Sequence, residues 1–285
     1  MEFPVRITQH QLIALAIGLV FLLVAVSLGL WRPTARRPLP LASAPSVGVP
    51  VGVGSPVVAI RALDGVPTNP AAARLRPWAV MIDNHVDARP QAGLEHAAVV
   101  YEAVAEGGVT RLLAVFDPTV DAPRIGPVRS ARPYYAAWAA EYGALYVHSG
   151  GSPEALESLA RMDIINLEEI SAAGVYFWRD RKRAAPHNLY TSPDRLRQFS
   201  MDRDIGTAAE FSAWPRKDDA PLADRPDSGR AIKIKFSTPA FAVTYRYGRA
   251  ANRYVRWLGT APHRTADGAE LAASTVVVQH VNAVV

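Results

Sequence analysis

The sequence predicts an α+β protein, in which an N-terminal α+β domain precedes a smaller β-rich domain, with one transmembrane helix and a Pro/Gly-rich spacer ahead of both. Three observations support this class. One uncharged apolar run lies near the N-terminus, the central region alternates apolar strands with capped helices, and the C-terminal region shows only strand-like alternation. The predicted segments are a tail (1–11), a transmembrane anchor (12–31), an extended linker (32–62), the first domain (63–211), a second linker (212–230) and the β-rich domain (231–285). Because the β-rich domain ends inside a strand-like run, we predict that it is truncated.

The predicted anchor runs from Leu12 to Trp31 and contains no charged side chain. As a helix rising ~1.5 Å per residue, it is long enough to cross a hydrocarbon core of about 30 Å, and it exceeds the apolar part of a signal peptide. A buried core helix is the alternative. The positive-inside rule would place the larger part of the chain in the cytoplasm, because one arginine precedes the run and three follow it closely (Arg6, then Arg32, Arg36 and Arg37).

Local signals predict the elements of the first domain. Short apolar runs bounded by breakers predict strands, and Gly107-Gly108 predicts a hairpin turn between two of them. Ser-Pro pairs place an N-cap before a proline at the first helical position, which predicts helix starts after Ser152 and Ser192. The predicted strands are Ala79–Ile82, Ala97–Val104, Thr110–Phe116 and Ala144–Val147, and a further helix is predicted from Pro133 to Tyr142.

The β-rich domain shows alternation of apolar and polar residues, which is typical of half-buried strands. Four strands are predicted there: Ile232–Phe236, Ala242–Tyr247, Tyr254–Leu258 and Thr275–Val281.

Composition restricts the partners and the chemistry. The net charge is +5, with 27 Arg against 4 Lys, and there is no cysteine. The arginine excess indicates either a coding habit rich in Arg and Ala or a surface that meets polyanions, such as phosphate-rich wall polymers, anionic lipid or nucleic acid. The lack of cysteine excludes a disulfide scaffold, a thiolate metal site and lipid attachment to a cysteine.

Polar residues and glycines crowd the segment from Met81 to Ser152, at the ends of its apolar runs. This pattern is typical of a binding or catalytic surface. Glu102 and Glu106 are four residues apart on a predicted strand, where such positions share a face, so they could bind a metal or divide acid and base roles. The alternative is that each carboxylate pairs with a nearby arginine.

Three arginines, Arg124, Arg129 and Arg132, lie just before a predicted helix N-terminus. Guanidinium forks and free backbone N–H groups suit a carboxylate, phosphate or sulfate at such a place. The alternative is that these arginines neutralise Glu102 and Glu106. The two interpretations are compatible.

His148 and Ser149 lie between a predicted strand and a predicted helix, where small residues let a ligand approach the backbone. The loop matches neither a Walker loop nor a nucleophile elbow, which disfavours covalent catalysis. His85, His148 and His187 could meet in space with an acidic residue, but they lack the close spacing of zinc motifs. Capping or core-edge roles are therefore favoured, and no metal is predicted.

A family resemblance is carried by five blocks that occur in order over residues 63–200: RPWAVMIDNHVDARPQAGL, VVYEAVAEGGVTRLLAVF, RIGPVRSARPYY, ALYVHSGGSPEAL and APHNLYTS. Together they resemble the YerB-like lipoprotein family of bacterial envelope proteins, whose function is unknown. The resemblance implies a location outside the cytoplasmic membrane, an α+β N-terminal domain and a β-rich C-terminal domain, and it supplies no catalytic residue. On this ground, and against the charge rule, we predict a single-pass protein of the cytoplasmic membrane with its large domain outside the cytoplasm.

The leading hypothesis is an anchored extracytoplasmic protein that binds an anionic or sugar-containing cell-envelope ligand, or an envelope protein. The alternative is an envelope hydrolase that uses Glu102 or Glu106, with or without a metal. No nucleic-acid partner is expected, because no recognised binding motif is present, and the sequence identifies no cofactor. The candidate ligand-binding residues are Asp83, His85, Glu102, Glu106, Arg111, Arg124, Arg129, Arg132, His148, Ser149 and His187.

Overall fold

The structure, a computed structural model, describes residues 58–172 and 174–281. The predicted tail, the predicted anchor (12–31) and residues 32–57 of the predicted linker lie outside these ranges. Within them, none of the helices is long and apolar enough to cross a bilayer.

The described residues form three α-helices, and their strands belong to two larger and two smaller sheets. The helices are α1 (Pro133–Ala140), α2 (Pro153–Arg161) and α3 (Pro193–Asp202). The strands are β1 (Ala59–Ile60), β2 (Pro67–Thr68), β3 (Trp78–Asp83), β4 (Val99–Val104), β5 (Thr110–Phe116), β6 (Leu145–His148), β7 (Asn166–Glu168), β8 (Trp178–Arg179), β9 (Leu189–Tyr190), β10 (Ala231–Lys235), β11 (Ala242–Gly248), β12 (Arg253–Leu258), β13 (Ala261–Pro262) and β14 (Ala272–Ala273). Short 3₁₀ helices span Pro70–Ala72, Val86–Ala88, Leu94–His96, Glu106–Gly108, Leu222–Asp224 and Pro239–Phe241.

A mixed sheet of order β4-β5-β3-β6-β7 forms the centre of the first domain. β3, β6 and β7 run parallel, whereas β5 is antiparallel to both β3 and β4. Every residue of β3 is buried, because helices cover both faces of the sheet. Tyr135 of α1 and Leu159 of α2 pack on one face, and Leu196 of α3 packs on the other. This mixture of sheet and helices confirms the α+β class.

The local signals of the first domain produce the expected elements, with ends displaced by at most two residues. β4 and β5 form the predicted hairpin, and Gly107 and Gly108 between them have φ of 63° and 75°. Residues with a side chain rarely adopt this left-handed conformation, which explains the two glycines. The hydroxyls of Ser152 and Ser192 cap α2 and α3 by accepting a backbone N–H, at 3.2 and 3.4 Å.

The second large sheet has the order β10-β11-β12-β13, with β14 beside β12. β10, β11 and β12 confirm three of the four predicted strands to within one residue. The prediction for 275–281 is wrong, because this segment has no strand pairing and its Val277 and Val281 are exposed. The described residues place no strand beside it, and alternation forms a strand only where a partner supplies the ladder of hydrogen bonds.

Candidate functional site

The candidate site lies at the carboxyl ends of the parallel strands β3 and β6, the edge at which open α/β sheets usually bind ligands. Residues 128–132 run along this edge. The backbone N–H of Arg129 donates to the carbonyl of Met81 (3.0 Å), and the N–H of Ser149 donates to the carbonyl of Arg129 (3.0 Å). These bonds hold the arginine-bearing segment between the end of β3 and the loop after β6.

Asp83, the last residue of β3, is the centre of the site, and it is only 2% exposed. Its Oδ1 accepts the backbone N–H of His85 at 2.9 Å, and its Oδ2 lies 2.7 Å from Nδ1 of His187. Nε of Arg129 is 3.4 Å from the same Oδ2. A carboxylate buried this fully needs such partners, because an uncompensated charge in the interior is costly.

His187 is held by Asp83 and by the loop that carries it. An ionised carboxylate only accepts hydrogen bonds, so in the neutral imidazole of His187 the proton lies on Nδ1 and Nε2 keeps its lone pair. Asn188 fixes the loop, because its amide donates to the carbonyls of Asp180 (3.1 Å) and Arg183 (3.0 Å). The His187 ring stacks on that of His85, with centroids 4.6 Å apart.

Arg129 has unused hydrogen-bonding capacity. Its side chain is 29% exposed, and Asp83 is its only ion-pair partner among the described residues, through Nε at 3.4 Å. Arginine carries five N–H donors in a fixed fork, so the terminal NH₂ groups remain available to an acceptor from outside the protein. The structure thus places a partly exposed guanidinium with free donors at the end of β3.

Glu106, Arg111 and Arg132 form a second charged group beside this one. Glu106 accepts a hydrogen bond from Nε of Arg132 at 2.9 Å. Its Oε1 forms ion pairs with both Arg111 and Arg132. Burial opposes ionisation of Glu106, but the hydrogen bond from Arg132 and the charges of both arginines outweigh it and lower its pKa to about 2. The charges of Arg129 and Asp83 also act on the pKa of Arg111, so the two groups form one electrostatic cluster.

Glu106→Gln is expected to lower the free energy of unfolding by about 1 kcal/mol at pH 7, the upper end for an exposed ion pair. The folded-state pKa is lower than the ordinary 4.5, so this stabilisation is present above pH 4.5 and is lost as the pH falls towards 2. Urea denaturation at a series of pH values measures it. Glu157→Gln on the exposed surface of α2 is the control and should change stability by less; equal effects of both variants at every pH would contradict the assignment.

Glu102 and Glu106 do not share a strand face, which corrects the sequence-based expectation. β4 ends at Val104, so Glu106 lies in the turn, while Glu102 stays on the strand and pairs with Arg256 of β12. Glu102 accepts from Arg256 (2.7 and 3.2 Å), Thr110 (2.8 Å) and Asn84 (3.2 Å). Each carboxylate is therefore occupied by arginine, and these contacts argue against either as a general base.

The Glu102–Arg256 pair connects the two large sheets and is buried, with side-chain exposures of 8% and 6%. Burial alone would lower the pKa of Arg256, but the charge of Glu102 outweighs it and raises that pKa. Nε of Arg256 also donates to Nδ1 of His263 (3.1 Å), and Nε2 of His263 donates to Oε1 of Gln91 (2.9 Å). Burial, with the charges of Arg256 and Arg89, lowers the pKa of His263 to about 3, so its ring is neutral.

Asn84 joins this network to the site, because it follows Asp83 directly. Its amide donates to Thr110 (2.7 Å) and Glu102, and its Oδ1 accepts from Arg89 (3.1 Å) and Gln91 (2.9 Å). Asn84 is fully buried, and all of its polar capacity is used. The end of β3 therefore has two roles: Asp83 organises the site, and Asn84 anchors the second sheet.

Three other predicted residues lie apart from the Asp83 contacts. Arg124 donates to Asp180 (3.0 Å) and covers the ring of Tyr190, so its charge is used internally. His148 is buried, its Nδ1 bonds the carbonyl of Gly150 (2.9 Å), and burial lowers its pKa. The Ser149 hydroxyl donates to Glu169 (3.1 Å) rather than to a histidine. These contacts suit structural roles.

Family comparisons agree with this two-part architecture. Residues 63–206 match the model described as "Protein of unknown function (DUF3048) N-terminal domain", and residues 232–285 match the corresponding C-terminal domain model. This chain belongs to the DUF3048 family. The candidate site and Glu102 fall within the first matched range, and Arg256 and His263 fall within the second, so the buried ion pair connects the two DUF3048 domains.

Two comparisons with individual proteins point to one relative of this DUF3048 chain. It is 32% identical over 196 residues to "Putative lipoprotein YerB" of Bacillus subtilis (strain 168), an alignment that covers 68% of this chain and 58% of that protein. The crystal structure of the YerB protein from Bacillus subtilis is similar with a TM-score of 0.67 and 29% identity, covering 75% of this chain and 72% of that one. The YerB-like resemblance is confirmed.

The sequence analysis did not single out several residues that lie in the site or in the polar network beside it. Asp87, Gln91, Arg256 and His263 act through contacts between segments far apart in the chain or through a short 3₁₀ turn. The sequence blocks around Asp83 and His187 suggested polar importance, but neither indicated that the two residues meet. The sequence analysis named no candidate residue in the DUF3048 C-terminal domain, although Arg256 of that domain binds Glu102 in the polar network beside the site.

Proposed function

We propose that this protein binds an anionic group of a cell-envelope ligand at the end of β3, with Arg129 as the contacting residue. The observation that carries the proposal is Arg129, whose terminal NH₂ groups meet no acceptor among residues 58–172 and 174–281, while its Nε lies 3.4 Å from Asp83. A fixed guanidinium fork recognises a carboxylate or phosphate by two parallel hydrogen bonds. Arg132 lies at the same edge of the sheet and is the second cation of the proposed site.

The charge balance of the cluster favours an anion over a cationic or neutral group. Three guanidiniums, those of Arg111, Arg129 and Arg132, face two carboxylates, those of Asp83 and Glu106. One positive charge therefore remains without a counterion in the cluster. A partly desolvated cation at a sheet edge attracts anions more strongly than a fully solvated one.

The envelope location is part of the proposal. An apolar run at 12–31 long enough to cross a bilayer supports a single-pass protein of the cytoplasmic membrane whose large domain lies outside the cytoplasm. The lipoprotein name of the Bacillus relative supports the same compartment. The ligand is then an envelope polymer with phosphate or carboxylate groups, or an envelope protein with acidic side chains.

Arg129→Ala is expected to weaken binding of phosphate or of carboxylate-bearing wall fragments at least tenfold, since a charge-assisted hydrogen bond contributes about 1.5–3 kcal/mol. Calorimetric titration of the full chain in detergent measures the affinity. Arg129→Lys should recover part of it, because the charge remains but the fork is lost.

Arg124→Ala is the matched control from the same segment, and it should bind as the wild type does because Asp180 already occupies Arg124. Equal loss in both variants would show a diffuse effect of net charge. Unchanged binding after Arg129→Ala together with Arg132→Ala would contradict the proposal.

A further inference from the structure

A cluster around Asp83 brings together three side chains that can ligate a metal. One ring nitrogen from each of His85 and His187 and one carboxylate oxygen of Asp87 lie within 4.8 Å of one another. Two imidazoles and one carboxylate are a common donor set for divalent transition metals, with the remaining positions left to water or a ligand. Mg²⁺ and Ca²⁺ prefer oxygen donors, so the two histidines favour a transition metal.

The local backbone holds two of these groups side by side. His85 precedes the 3₁₀ turn Val86–Ala88, and its Nδ1 accepts the backbone N–H of Asp87 at 3.3 Å. The turn brings an oxygen of the Asp87 carboxylate to 3.4 Å from the same nitrogen. His187 joins them from a distant loop, because Asp83 binds its ring.

The hydrogen bond between His187 and Asp83 is a second, independent observation that points to a metal. Histidines that ligate metals usually donate their other N–H to a carboxylate, which orients the ring and makes the ligating nitrogen more basic. Asp83 is buried at the end of β3, and its Oδ2 accepts Nδ1–H of His187 at 2.7 Å. Nε2 of His187 is left to bind an ion.

The stacked rings define what has to change when an ion binds. The planes of His85 and His187 are 14° from parallel, with centroids 4.6 Å apart. Parallel rings cannot both direct an in-plane lone pair at one ion, so one ring has to turn. His85 is the mobile one, because it is 35% exposed and held by one long hydrogen bond, while Asp83 fixes His187.

We propose that His85, Asp87 and His187 bind a divalent transition-metal ion of the Zn²⁺ class, with Asp83 as the positioning residue for His187. The proposal does not depend on anion binding, because it uses other side chains than Arg129 and Arg132. An ion held there would add positive charge beside Arg129 and leave coordination positions for an anionic ligand.

Titration of the metal-free full chain with Zn²⁺, in competition with a chromophoric chelator, tests the site. The wild type should bind one equivalent, and His187→Ala and His85→Gln should each weaken binding at least tenfold. Asp83→Asn keeps all three ligands and should weaken binding 10–100-fold, as expected for the loss of a carboxylate behind a ligating histidine. Co²⁺ should give the absorption of a site with nitrogen and oxygen ligands, and ring-proton NMR signals of His85 should shift as the stack opens.

His96→Gln is the matched control, because His96 is exposed in another 3₁₀ helix and should leave Zn²⁺ binding unchanged. The proposal is overturned if the wild type binds no Zn²⁺, or if His85→Gln and His187→Ala bind as tightly as the control. If His187→Ala fails to fold, the partly exposed His85 still provides the test. If His85→Gln loses Zn²⁺ binding but still binds phosphate, the metal site and the anion site are separate.

Discussion

Arg256→Met is expected to lower the free energy of unfolding by about 3–5 kcal/mol, the range for removing one partner of a buried ion pair. The substitution leaves the Glu102 carboxylate buried with only Thr110 and Asn84 as donors. It also removes the Nε donor that His263 accepts. Because Glu102 and Arg256 belong to different sheets, we expect the two domains to unfold less cooperatively as well.

Urea denaturation followed by circular dichroism and by tryptophan fluorescence measures both effects. Arg264→Ala is the matched control, since Arg264 lies in the same domain and pairs with Glu270 at an exposed position, where such a pair contributes about 0–1 kcal/mol. The double variant Glu102→Leu with Arg256→Met should be less destabilised than the sum of the single variants, because no charge is left buried. An Arg256→Met loss no larger than that of Arg264→Ala would show that the pair does not connect the domains energetically.

Acidification is expected to destabilise the protein through His263. The pKa of His263 is about 3 in the folded protein against an ordinary 6.5, so between these values the unfolded chain binds a proton that the folded chain does not. Full stability is therefore present above pH 6.5 and is lost as the pH falls towards 3, at about 1.4 kcal/mol per pH unit. Burial of His148 lowers its pKa too and acts in the same direction.

His263→Gln should remove this part of the pH dependence while keeping the hydrogen bonds, because glutamine can accept from Arg256 and donate to Gln91. Between pH 6.5 and pH 5 the wild type should lose about 2 kcal/mol more than the variant. His96→Gln, at an exposed position, should follow the wild type. Parallel stability curves for wild type and His263→Gln would show that His263 is not the titrating group.

The buried polar network also fixes the backbone at the end of β3. Asn84 is fixed by four polar neighbours that include Glu102 and Gln91, and these in turn bind Arg256 and His263 of the second domain. Asp83 is the residue immediately before Asn84, and its backbone carbonyl accepts a hydrogen bond from Gln91 (3.1 Å), so the end of β3 is held in place from the domain interface. We therefore expect variants of Arg256 to affect ligand binding at Arg129 as well as stability.

Sequence reasoning succeeds where the signal is local. The Ser-Pro helix starts at Ser152 and Ser192, the Gly107-Gly108 turn and the apolar run of β3 each depend on neighbouring residues, and all appear in the structure. It fails for 275–281, where the strand would need a partner that the described residues do not place there. The pairing of an element depends on the whole fold.

The same distinction applies to the site. The sequence singled out polar residues near the ends of apolar runs, and Asp83, His85, Arg129 and His187 do come together. It could not separate Arg129 from Arg124, because that depends on Asp180 in a distant loop occupying one of them. It offered an arginine partner for Glu102 as an alternative, but it could not identify Arg256, which lies in the other domain.

The most direct test of anion binding at the end of β3 is an NMR titration of the arginine Nε–H groups of the full chain with phosphate. Arg129→Lys and Arg124→Lys assign the two signals by their disappearance. The Arg129 signal should move with a saturable dependence on phosphate, while that of Arg124, held by Asp180, should stay in place. A drift of all arginine signals without saturation, or a saturable shift of Arg124 alone, would contradict a binding site at Arg129.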